Sequence, residues 1–161
     1  MLVRQLLLAL TFSLLAFAAE DCRGGKSSDM SKKPYQYDTP LAKRLEEFRR
    51  AGPRGTRRRL EELTDFEWDK VHLFGEGTPF REIDETVGSP LFAREGRYTE
   101  QGSLLVFTKA GRVTHAVALV PAFVTGSALT YARASAVLEA YSKDPGPYQL
   151  TFVTAETTGT Q

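Results

Sequence analysis

The stretch TDFEWDKVHLFGEGTP, Thr64 to Pro79, decides the fold. From Trp68 to Phe74 its apolar residues follow a two-residue period rather than the helical one. Phe66, Trp68, His72 and Phe74 fall on one face of an extended chain, Val71 and Leu73 on the other. Apolar groups on both faces predict an interior strand, with Trp68 and Phe74 as core anchors. Asp65, Glu67 and Asp69 alternate around Phe66 and Trp68. Paired carboxylates serve as acid and base in catalysis. Three acids spaced by two also make the wet side of a strand whose other side buries aromatics.

A turn and a helix punctuate the strand. GEGTP turns the chain, and Thr78-Pro79 pairs a capping hydroxyl with a first-turn proline. Phe80, Ile83 and Val87 then make a helical stripe, with Ile83 a further anchor. Glu82, Asp84 and Glu85 lie on the wet side, Gly88 closes the helix and Pro90 forbids its return. LFAREGRYTEQG reads as a loop. SLLVFT and RVTHAVALV are two apolar runs around Lys109-Ala110-Gly111, a hairpin with glycine for the positive φ. Pro121 ends the second run, and AFVTGSALTY crosses over with some buried aromatics. ARASAVLEAY suits a helix by its alanines and a strand by its alternation. The turn SKDPGPY and the strand pattern YQLTFVTA favour the strand reading of 132–141.

Upstream, the composition changes. Residues 39–63 form a basic helical segment. Thr39-Pro40 opens it, Leu41, Leu45 and Phe48 share a face, and Gly52-Pro53 stops it. RGTRRRLEEL comes next as weakly helical or irregular chain, with Arg54, Arg57, Arg58 and Arg59 at an unfavourable end of a helix dipole. Residues 20–63 hold twelve basic and eight acidic residues, and residues 64–161 hold eight and twelve. The arginine cluster could touch an anionic surface, or pair with the domain's own acids. Residues 19–38 are rich in glycine, serine, lysine and aspartate and read as a tether. Residues 1–18, with Arg4, an apolar run and Ala16-Phe17-Ala18, read as a secretory signal, too short for a membrane span. Cys22 sits where a bacterial lipoprotein is lipidated, although Glu20 and Asp21 depart from that motif.

The totals exclude several classes. A single cysteine rules out an intrachain disulfide framework and a cysteine-cluster zinc site, and a net charge of +1 gives no global pull toward nucleic acid. No serine stands in a nucleophile elbow, and the glycines of GEGTPF have neither a Walker lysine nor a dinucleotide spacing. His72 and His115 are the only histidines. A metal site built on them needs both imidazoles and a carboxylate on matching faces.

The run FEWDKVHLF, with GTPF and IDETVG after it, resembles a group of small uncharacterised bacterial cell-envelope proteins, often lipoproteins, with an aromatic-x-Trp-Asp-Lys strand. The likeness covers about Asp65 to Val120 and departs at GEGTP. The helix-then-hairpin unit is also similar, more loosely, to outer-membrane-assembly lipoproteins of the SmpA/OmlA type and to β-lactamase-inhibitor-like domains. The resemblance implies location and fold, and carries no activity.

The expectation is an α+β domain over 64–156: an antiparallel sheet of four or five strands packed against one short helix, with an additional N-terminal helix and a loose tail at 157–161. Its function is expected to be that of a non-enzymatic accessory or binding domain, secreted or at the cell envelope, without a cofactor. The partner is an envelope protein or an anionic surface reached through Arg54, Arg57, Arg58 and Arg59. Nucleic acid is not expected, and a membrane only through a lipid on Cys22. The alternative is an envelope hydrolase or metal-binding protein using Asp65, Asp69, His72 and His115.

Overall fold

In a computed structural model, strand β2 (Lys70–Phe74) lies inside a sheet, as its two apolar faces require. The structure describes residues 33–51, 53–141 and 149–153. The expected signal, Cys22, the tail at 157–161 and the turn at 142–148 lie outside these residues. Strands β3 (Ser103–Lys109) and β4 (Arg112–Leu119) form the expected hairpin, and β3 pairs along all of β2. Ala110 and Gly111 both take positive φ, 49° and 74°, as a two-residue hairpin turn demands. Strand β6 (Thr130–Ala132) pairs the other side of β2, so this sheet runs β4-β3-β2-β6.

The α+β class holds, with eight strands among the described residues divided between two four-stranded sheets rather than gathered in one. The second sheet runs β1 (Arg57–Arg59), β7 (Val137–Tyr141), β8 (Gln149–Val153), β5 (Val124–Thr125), and its β5–β8 pair is parallel. The ambiguous segment is therefore a strand from Val137, preceded by one 3-10 turn at Arg133–Ser135. RGTRRRLEEL splits into strand β1 and a 3-10 turn over Leu60–Leu63, in place of the expected weak helix or irregular chain. The antiparallel pairing with β7 supplies backbone bonds that the unfavourable helix could not, with Arg57 opposite Glu139.

Two apolar clusters cover the two faces of the first sheet. Val71, Leu73, Leu105, Phe107, Val117 and Leu119 meet helix α1 (Pro40–Ala51) and the second sheet. Phe74, Leu104, Val106, Ala116 and Ala118 meet helix α2 (Phe80–Val87) and the aromatics Tyr35, Phe92 and Tyr98. Trp68 belongs to the first cluster. It is 1% exposed, stands just before the strand, and its indole donates to Thr64 Oγ1 at 3.0 Å. The expected common face for Phe66, Trp68, His72 and Phe74 is thus corrected: Phe66 and Trp68 pack with the first cluster and Phe74 with the second, because bends at residues 65–66 and 69 break the two-residue period ahead of β2.

Both helices end as their sequence signals require, with one difference at a start. Thr39 Oγ1 accepts the Ala42 N–H at 3.1 Å ahead of α1. Before α2 the hydroxyl of Thr78 instead donates back to Gly75 O at 2.7 Å, and Pro79 takes the cap position without a side-chain bond. Gly88 closes α2 at φ 74°. Asp84, expected on the wet side, accepts the N–H groups of Leu91, Phe92 and Ala93 at 2.9, 3.0 and 3.1 Å and shapes the loop after the helix.

The segment expected as a tether is anchored from Lys33 onward. Tyr35 is buried against Tyr98 and Phe92, and Gln36 bonds the backbone of Ala116 and Ala118, extending the sheet beyond β4. Glu100 holds it with Lys33 at 2.6 Å and the Tyr35 hydroxyl at 3.0 Å.

Leu41, Leu45, Leu60 and Leu63 share one cluster with Trp68, so residues 39–63 and the strands beyond them form one core. Truncating Leu45, which is 0% exposed, should cost about 2–5 kcal/mol of unfolding free energy. Denaturant unfolding monitored by the fluorescence of Trp68 should show one transition shifted to lower denaturant in Leu45→Ala. An unshifted Trp68 transition would mean that α1 is an independent appendage.

Candidate functional site

The residues singled out for chemistry are separated by the sheet. His72 sits on the α2 side, in register with Val106 and Ala116. It is 3% exposed, with Nδ1 at 2.9 Å from Thr130 Oγ1 and Nε2 at 3.4 Å from Thr108 Oγ1. Burial, and then the charge of Lys70, hold this imidazole below its ordinary pKa of 6.5. His115 stands in register with Phe107 on the opposite face, exposed and stacked on Phe66 at 3.6 Å between centroids. Partial desolvation of its ring also lowers its pKa, against the pull of Asp65.

The three acids of the opening stretch are taken up by structure. Asp65 lies 3.1 Å from the Arg44 guanidinium, Glu67 meets the Lys109 ammonium, and Asp69 accepts the Ala110 N–H at 2.7 Å. Arg44 and Lys109 respectively hold Asp65 and Glu67 below the usual carboxylate range. The acids therefore clamp α1 and the β3–β4 turn to the chain before β2. Among the described residues no group of three histidine, cysteine, aspartate or glutamate side chains is placed to hold a metal ion. Asp65, Asp69, His72 and His115, the residues expected for a hydrolase or metal site, do not converge: the two imidazoles face opposite ways across β2, β3 and β4.

The arginines are largely paired at home. Arg57 meets Glu139 at 2.7 Å, Arg59 meets Glu61 at 2.6 Å, and Arg58 lies over the Phe48 ring at 5.5 Å. Arg133 shares Glu61 with Arg59. Arg54 is exposed in the turn before β1. Trp68, Phe74 and Ile83 are buried to 1% exposure or less, and Gly88 is the left-handed cap, so these four positions build the core and one helix end.

A different region carries the concave surface. The chain from Val120 to Leu129 leaves the first sheet, contributes β5 to the second, and returns through β6. Its first residues alternate between two clefts. Ala122 and Val124 line one of about 580 Å³, with Leu73, Gly102, Ala128 and Leu129. Pro121 and Phe123 line another of about 490 Å³, with Tyr37, Ala42 and residues of α1. Residues 120–124 are thus a wall one chain thick. It starts close over Gly102, where a Cβ would stand 2.1 Å from Leu119 O at the end of β4 and 3.0 Å from Val120 Cγ2. Tyr37, Val120 and Leu129, at 39%, 50% and 49% exposure, are the large hydrophobic residues left open among those described. Tyr37 and Val120 line the second cleft, and Leu129 lines the first. A third, groove-like cleft beside α2 has none of them, and its Asp84 is already occupied.

From the sequence this wall reads only as a crossing loop. Its apolar residues, Val120, Phe123, Val124 and Leu129, are interrupted by proline, glycine and small residues, with no helical or strand period that says which of them are buried.

The buried, neutral His72 has a consequence for stability. Its charged form is disfavoured only in the folded chain, so the unfolded chain takes up the proton first as pH falls below about 6.5. Stability should therefore decline from that pH down toward the lowered folded pKa. One proton changes stability by at most about 1.4 kcal/mol for each pH unit. Unfolding free energies should fall from pH 7 to pH 5, the part of that fall removed by His72→Gln should stay within that limit, and His115→Gln should remove less. Equal slopes in wild type and His72→Gln would refute this.

No protein-family model matches the chain, and no curated protein or solved structure gives a significant match to it.

Proposed function

We propose that the protein is a non-enzymatic binding domain, secreted or held at the cell envelope, that grips an apolar segment of a partner across the wall formed by residues 120–124. The observation that carries this reading is the gathering of Tyr37, Val120 and Leu129 on the two clefts either side of that wall. Exposed large apolar residues that cluster around concavities mark recognition surfaces more often than scattered ones do. The chemistry-bearing side chains offer no competing centre: imidazoles on opposite faces and acids in structural clamps leave no shared pocket for acid, base and substrate. The envelope location rests on the sequence of residues 1–22, and a lipid on Cys22 would convert a free domain into a tethered one.

Leu129→Asp places a charge in one cleft without touching the buried core. It should leave the unfolding free energy within about 0.5 kcal/mol of wild type. The same change should abolish the resonance shifts of residues 120–129 produced by titrating a short uncharged apolar peptide, acetyl-Ile-Leu-Phe-amide. Shifts that map elsewhere, or that persist in the variant, would sink the binding reading. Intact-mass measurement of the native protein tests the location separately. Loss of residues 1–18, or cleavage before Cys22 with a lipid increment, is expected. An uncleaved chain would exclude both forms.

A further inference from the structure

We propose that the two clefts select an extended peptide segment that carries large apolar side chains next to lysine or arginine. This rests on the binding reading above and adds the charge of the partner. The apolar wall is bordered by carboxylates that the fold does not use. Asp38 and Glu47 line the second cleft and Glu76 the first, all three exposed, and none makes an ion pair among the described residues. Glu46, also in the second cleft, is already held by Arg49 and Arg50. Lys43 is the one cation in either lining that has no ion pair among the described residues. Elsewhere on the described surface Glu61, Asp65, Glu67, Glu85, Glu100 and Glu139 each have a basic partner, whereas Glu62, Glu82 and Glu95 are exposed without an ion pair and border no comparable apolar wall.

The physical reading is selection by opposite charge at the rim and by shape at the wall. Apolar side chains seated against Val124, Phe123 and Leu129 displace water from the clefts. The unpaired carboxylates at the mouth then act through a lower dielectric than on open surface. A cation beside the apolar anchor is attracted, and a carboxylate in the same place meets like charge. For the same reason an anionic lipid surface is a poor occupant of this region.

The test compares two peptides of the same apolar body, acetyl-Lys-Ile-Leu-Phe-Lys-amide and acetyl-Glu-Ile-Leu-Phe-Glu-amide, titrated into the isotope-labelled protein at low salt. The lysine peptide should bind about five-fold or more tighter, shift the resonances of Pro121–Val124 neighbours, and lose part of its advantage at physiological salt. The preference should disappear in the double variant Glu47→Gln, Glu76→Gln, whose unchanged spectrum elsewhere shows that it is folded. Equal binding of both peptides at the wall would overturn the charge selection and leave the cleft reading standing. No response at the wall to either peptide would overturn both. Binding of anionic phosphatidylglycerol vesicles at the wall, with no response to the lysine peptide, would replace the peptide by a lipid surface and overturn the proposal.

Discussion

Strand β3 is buried from Ser103 to Thr108, so side chains on both of its faces need cover. A single helix laid against one face cannot supply that. The chain answers with two different layers: α2 and three aromatics on one side, α1 and a second sheet on the other. Each cover must be brought from a distant part of the sequence. Residues 35–48 are carried back over β4, and Val137–Tyr141 and Gln149–Val153 supply β7 and β8. The crossing of residues 120–129 between the sheets is a consequence of building both layers from one short chain. The clefts are what that crossing leaves unfilled.

Much of this is legible in the residues, and the limits have physical causes. Helix α1, helix α2 and the β3–β4 hairpin announce themselves through caps, glycines and period. In each, local propensity and tertiary burial agree. The second sheet is harder to read. Arg57–Arg59 has no apolar residue to suggest a strand, and its structure is imposed by β7, where Glu139 lies 82 residues further along the chain. Trp68 is recognisable as an anchor by its size and apolarity, but its face is not, because a two-residue period cannot be carried through a bend. Tyr35 resembles part of a polar tail, since two tyrosines at the end of a run of lysine, serine and glycine are too few to give a periodic signal. The clefts are invisible for a related reason: they are made by where a connection passes, and its composition resembles that of any loop.

Several polar side chains are employed by the fold. Asp69 sets the hairpin turn, Asp84 gathers three backbone N–H groups, Glu100 fastens Lys33 and Tyr35, and Thr108 and Thr130 satisfy a buried imidazole. Buried or strategically placed polar groups of this kind fix one arrangement among several compact ones, because each leaves a donor or acceptor unpaired if the register slips. An acid cluster beside a tryptophan therefore serves as scaffolding here.

The three arginines of β1 have one more effect. This strand forms the margin of the second sheet, and Arg57, Arg58 and Arg59 are all exposed. A bare margin is a template on which another polypeptide can add a strand, and repeated addition leads to fibres. Two copies meeting margin to margin here would bring the arginines of both together. The run that looks like a handle for an outside surface also disfavours strand-by-strand self-assembly at this margin.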